Sequence, residues 1–154
     1  MRVSNYLKEE FCIMDLKATN KEEAIKEIAL QLFKGGNILN LNEFIEDVLE
    51  RETLGSTGIG HSIAIPHART DAVKNFVIGF GYSVVGIDFN SLDGQKANLI
   101  FLMGADPKEL NLYLRLLAEL SKLLMNSSFR RELMEARTAE EIIKTIKKFE
   151  GSNF

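Results

Sequence analysis

The sequence is poor in the side chains that most metal and redox chemistry uses, with one cysteine, two histidines and two prolines among 154 residues. A lone Cys12 excludes an intrachain disulfide. One cysteine and two histidines also exclude a closed Cys/His zinc site, leaving only an open site completed by carboxylates. No metal and no cofactor are expected. Apolar runs are short: none reaches the ~18 residues of a membrane-spanning helix, and no charged-then-apolar leader opens the chain. With the unpaired cysteine, this leads to the expectation of a cytoplasmic protein without direct membrane insertion. The 19 basic residues are scattered among 22 acidic ones for a net charge of −3, which leaves no electrostatic footprint for nucleic acid. There is no internal repeat or low-complexity tract. Pro66 and Pro107 fall between periodic segments, so residues 1–154 are expected to form one unit.

What is present is periodic. After a short, helix-compatible start, residues 11–16 read as a strand, and Thr19 to Glu22 supply a capping box for a helix whose Ala24, Ile25, Ile28, Ala29, Leu32 and Phe33 share one face. Gly35-Gly36 ends it as a left-handed stop. Asn42 is expected to cap a second helix, with Phe44, Ile45, Val48 and Leu49 as its apolar face, fraying near Leu54-Gly55. Residues 62–65 read as a short strand stopped by Pro66. Phe76, Ile78, Phe80 and Tyr82 alternate with Val77, Gly79 and Gly81, a strand with one face bare enough for close packing. Residues 97–103 suit a strand covered on both sides. Past Pro107 a leucine-dense helix runs to about Met125 and is expected to be central. A shorter helix holds Phe129, Leu133 and Met134, and a last one begins at Thr138, with Glu140 and Lys144 at favourable spacing. Helices flank a small group of strands in sequence, which predicts an α/β sandwich, three-layer-like, with a small mixed sheet.

The run Gly55 to Ser62 has the spacing of a phosphate-binding loop, but His61 stands at the lysine position and Ile63 to Pro66 make a poor helix start. A nucleotide hydrolase built on this loop is the weaker reading, and a glycine-rich turn the better one. His67 differs because Pro66 fixes the backbone before it, at a predicted strand end. A neutral imidazole accepts a phosphoryl group near pH 7 without an activating base.

The wording of the segment carries more. Glu50-Arg51-Glu52, Ser56-Thr57-Gly58-Ile59-Gly60 and Ile63-Ala64-Ile65-Pro66-His67-Ala68-Arg69 closely resemble the active-site region of the fructose/mannitol-type enzyme IIA domains of the bacterial phosphoenolpyruvate-dependent sugar phosphotransferase system, a pattern shared by the nitrogen-regulatory IIA proteins. Gly86 to Phe89 with Leu92 to Gln95, Leu116 to Leu120, and Phe129-Arg130 extend the resemblance along the chain. It implies a phosphocarrier in which His67 takes a phosphoryl group from phospho-HPr and passes it to the cysteine of a IIB domain, feeding a IIC permease indirectly. The alternative is a nitrogen-type regulator whose phosphorylation state acts on protein partners.

In that reading Arg51 is the electrostatic clamp, and Ser56 and Thr57 donate further hydrogen bonds to the transferring group. Many relatives carry a second histidine where this chain has Tyr113, although the galactitol-type relatives lack it. Tyr113 either orients phosphate through its hydroxyl or is a core residue. His61 is a secondary candidate for the missing partner, but an extended 62–65 segment would hold it roughly 20 Å from His67. Arg69 and Asp71 are expected to meet the partner protein. Cys12 is expected to be a small apolar residue rather than a nucleophile.

Overall fold

The computed structural model describes residues 2–151. Five helices, α1 (Lys21–Lys34), α2 (Leu41–Thr53), α3 (Leu110–Leu124), α4 (Ser127–Glu135) and α5 (Ala139–Glu150), accompany six strands, β1 (Cys12–Ile13), β2 (Gly58–Gly60), β3 (Ile63–Ala64), β4 (His67–Arg69), β5 (Val77–Ile87) and β6 (Ala97–Ala105). The strands form one mixed sheet in the order β1-β5-β6-β3-β2. Strand β6 is its axis. On one side it pairs antiparallel with β5, and on the other it pairs parallel with β3 (Ile63 opposite Leu99) and then β4 (His67 opposite Met103).

Proline explains why β3 and β4 are two strands rather than one. Pro66 has no N–H to give the ladder, yet its carbonyl still accepts from the Met103 N–H at 3.0 Å. The extended path therefore resumes at once, and His67 opens a strand instead of ending one.

Register assigns the two faces. Val77 with Gly104, Gly79 with Leu102 and Gly81 with Ile100 are cross-strand neighbours and share a face. A Cβ on Gly79 would come within 2.7 Å of Ile28, and one on Gly104 within 3.0 Å of Phe44, so α1 and α2 lie directly on this face. Ile78, Phe80, Phe101 and Met103 point the other way and are fully buried, with Phe80 and Phe101 rings 5.0 Å apart. The sheet is thus covered on both sides, and the buried stripes of α3, α4 and α5 join the same continuous core. The expected α/β architecture with a mixed sheet is what forms.

Local expectations hold or shift for identifiable reasons. Thr138 caps α5 as expected and Glu140 pairs with Lys144 at 3.2 Å. Helix α1 is capped by Asn20 rather than Thr19, and α2 by Asn40 rather than Asn42, the Asn carboxamides accepting from the N–H groups of Glu23 and Glu43 at 2.9 and 3.0 Å. In α1 the stronger capping residue, Asn over Thr, directly precedes the first turn, and in α2 the helix starts two residues earlier at an equivalent Asn. Strand β1 keeps only two of the six residues expected. Helix α3 is amphipathic rather than central, burying Leu116, Leu120, Leu123 and Leu124 while Leu110 and Leu114 stand 41% and 52% exposed.

Candidate functional site

Helix α2, strand β4 and the start of α3 meet at the sheet edge around a cleft of about 580 Å³, lined among others by Arg51, His67, Arg69 and Tyr113. Each arrives by a different route. Glu43, Asp47, Arg51 and Leu54 recur at helical spacing and put one stripe of α2 on the cleft. His67 shares its sheet face with Met103, and Tyr113 comes from α3 to within 5.8 Å of it, ring centroid to ring centroid, at 54°.

His67 is half-buried and its Nδ1 lies 2.7 Å from the Ile65 carbonyl. A carbonyl only accepts, so Nδ1 carries the hydrogen and Nε2 keeps its lone pair. Burial holds the imidazole pKa below its ordinary 6.5; the Arg51 charge acts in the same direction, against the Ile65 bond and the Glu52 charge. The ring is therefore neutral at pH 7. Burial pushes the Tyr113 phenol above its ordinary 10, opposed by the charges of Arg51 and Arg69. The Arg51 guanidinium donates to the Gly55 carbonyl at 2.9 Å.

Two clips hold α2 in place, one against the end of β4 and one against α1 and the glycine-rich loop, and neither stands out in the sequence. The Thr70 hydroxyl donates to Asp47 at 2.5 Å, tying the end of β4 to α2. Glu52, buried beside Arg51, receives the Thr57 hydroxyl and pairs with Lys21 at 3.1 Å, and Lys21 also donates to the Asn90 side chain at 3.1 Å. The spacing of Asp47 four residues before Arg51 was the available signal for the first clip. The second depends on Lys21 and Asn90, which are remote in sequence.

Ser56 and Thr57 are not brought to the cleft. The Ser56 hydroxyl donates to the Phe89 carbonyl and the Thr57 hydroxyl to Glu52, so both pin the loop that carries Arg51's acceptor, Gly55. His61 is exposed on the turn between β2 and β3, its N–H donating to Asp93 at 3.0 Å, and no fold-back brings it to His67. That turn runs through left-handed His61 and Ser62 (φ 55° and 66°) into β3, so no helix follows the glycines and the phosphate-loop geometry is missing. The Cys12 thiol, pushed up to about 12 by burial and then by Glu9, stays protonated. Among the described residues no cluster of three or more His, Cys, Asp or Glu is placed to hold a metal ion. Nor is any helix there long and apolar enough to cross a membrane.

The family model for the phosphoenolpyruvate-dependent sugar phosphotransferase system, EIIA 2, matches residues 5–149. The chain is 39% identical over 146 residues to the fructose-specific EIIABC component of Bacillus subtilis, covering 95% of this chain but only 23% of that protein's length. It is 32% identical to the fructose-specific EIIA component of Haloferax volcanii, with 86% of each covered, and 31% identical to a nitrogen regulatory protein of Bradyrhizobium diazoefficiens, with 92% of each covered. The crystal structure of the nitrogen regulatory protein IIA-Ntr from Neisseria meningitidis superposes with a TM-score of 0.87 at 28% identity, covering 94% of this chain and 98% of that one. Enzyme IIAMTL of Escherichia coli, solved in complex with phosphorylated enzyme IIBMTL, superposes at 0.79 and 26% identity, covering 92% and 99%.

Proposed function

The chain belongs to the EIIA 2 family of the phosphoenolpyruvate-dependent sugar phosphotransferase system, and from that premise we propose that it carries a phosphoryl group on Nε2 of His67 between phospho-HPr and a IIB cysteine, in the service of fructose- or mannitol-type uptake. The observation that carries this reading is the Nδ1–H bond to the Ile65 carbonyl, which leaves the Nε2 lone pair for a cleft lined by guanidinium groups.

The Nε2 lone pair attacks the phosphorus of the donor phosphohistidine as the donor N–P bond breaks and its electron pair returns to the donor ring. Nδ1 keeps its hydrogen throughout, so no base is needed, and the Ile65 carbonyl stabilises the positive charge that the ring gains. In the second transfer a IIB thiolate attacks the phosphorus, the N–P bond breaks, and neutral His67 is restored. In-line positioning and charge neutralisation supply most of the catalysis in such transfers. Arg51 meets the equatorial oxygens, and the Tyr113 hydroxyl is a neutral donor where many relatives have histidine.

A regulatory role of the nitrogen type is the second reading, favoured by the full-length similarity to such proteins. The two differ in the acceptor and share His67. Incubation with phosphoenolpyruvate, enzyme I and HPr, followed by intact-mass measurement, is expected to add one acid-labile phosphoryl group, absent from His67→Ala. Uptake by His67→Ala at the wild-type rate would overturn the assignment. A IIB acceptor that discharges the protein selects the transport role, and failure to discharge to any IIB selects the regulatory one.

A further inference from the structure

Strand β4 presents more than its histidine. Alternation along His67-Ala68-Arg69 puts His67 and Arg69 on one face, about 7 Å apart along the strand, while buried Ala68 lies opposite Gly104 on the face covered by α2. The Arg69 guanidinium donates one N–H to the Pro107 carbonyl at 3.1 Å, in the turn that leads into α3 and Tyr113. Among the described residues its other donors are uncommitted. Arg51 reaches the same cleft from α2. Among the described residues neither guanidinium has a carboxylate within salt-bridge distance, although Glu43, Asp47, Glu50 and Asp71 line the same cleft. One of those, Asp47, is occupied by Thr70. Arg51 and Arg69 thus line one cleft with the half-buried His67, Arg51 acting directly on its ring, and two like charges without paired acids are an arrangement that a doubly negative group on that histidine would favour.

We propose that Arg69 is a second phosphoryl-binding guanidinium, closing on the group carried by His67 from the β4 side while Arg51 closes from the α2 side. The inference rests on His67 being the carrier. Arg69 feels the same neighbourhood from the other direction: its charge and that of Arg51 both act on the Tyr113 phenol.

The test separates binding of the phosphoryl group from docking of the donor protein. Single-turnover uptake from phospho-HPr is measured over a range of donor concentrations for wild type, Arg69→Gln and Arg69→Lys, with thermal midpoints as the folding control. Arg69→Gln is expected to lower the saturated rate by about 10-fold, less than the roughly 100-fold or more that a buried donor to developing charge supplies, because Arg69 is solvent-exposed. Half-saturation should stay within two-fold and the midpoint should not move. Arg69→Lys should recover most of the rate, since it restores the charge and lacks only the planar fork. A raised half-saturation with an unchanged saturated rate would make Arg69 a docking contact and overturn the proposal. So would loss of rate in both variants with a lowered midpoint, which would make it a structural tie to Pro107. Wild-type protein labelled on His67 with Arg69→Gln at full rate removes this inference alone; wild-type protein that takes no label on His67 removes the carrier reading as well.

Discussion

His61 and His67 stand six positions apart in one stretch of chain, and their surroundings divide the molecule into two kinds of place. Around His61 the loop of residues 55–62 is rich in groups that look chemical, yet the Ser56 hydroxyl is engaged with the Phe89 carbonyl and the Thr57 hydroxyl with Glu52, while the His61 backbone N–H is held by Asp93 and its ring stands exposed, away from the cleft. Around His67 the polar groups keep capacity in reserve. Nε2 retains a lone pair, Arg69 has spare donors, and two guanidiniums share a cleft without a paired carboxylate among the described residues. The hydroxyls of the loop are structural pins because folding completes their hydrogen bonding, whereas the groups lining the cleft keep theirs unfinished.

The contrast breaks most sharply at the two imidazoles. His67→Gln is expected to abolish phosphoryl uptake, whereas His61→Asn, which tolerates the left-handed backbone at that turn, should leave the rate within two-fold; intact-mass time courses read both. Arg51→Ala comes next, with an expected loss of about 100-fold in the uptake rate, since it removes a charge aimed at developing negative charge. Glu52→Ala tests the structural side, because it strands Lys21 and Thr57 in a buried network. The expected cost is about 3 kcal/mol, read from urea unfolding, with a smaller effect on uptake through the displaced loop.

The smallest effect is the pH profile. A histidine of ordinary pKa 6.5 loses about 10-fold of its neutral form by pH 5.5. Burial lowers the His67 value, so the reactive neutral ring persists to lower pH and uptake at saturating donor should fall less than 10-fold between pH 7.5 and 5.5. The same shift has a stability consequence of known sign. As pH falls through 6.5 the unfolded chain takes up a proton that the folded ring refuses, so this site's contribution declines on the acid side.

Much of this was legible in the chain. Alternation at 76–82 with its glycine face, the Gly35-Gly36 stop and the Thr138 cap each follow from local rules that the packing did not overrule. The wording around Pro66 and His67 pointed to the site. What escaped were consequences of distant neighbours. Strand β4 is three residues long and its ladder partner, β6, lies over 30 positions downstream, so no periodicity announces it. Ser56 and Thr57 looked like phosphate donors because their acceptors, Phe89 and the buried Glu52, are fixed only by the fold. The place of Tyr113 beside the His67 ring is likewise set by how α3 packs.

The most direct measurement is the position of the phosphoryl group itself. Protein labelled with ¹⁵N-histidine, charged from phosphoenolpyruvate through enzyme I and HPr, is examined by NMR correlations between phosphorus and the ring nitrogens. A phosphorus coupled to Nε2 of His67, with Nδ1 still bearing its hydrogen toward the Ile65 carbonyl, is the predicted result. Coupling to Nδ1 of His67, or to His61, would contradict it.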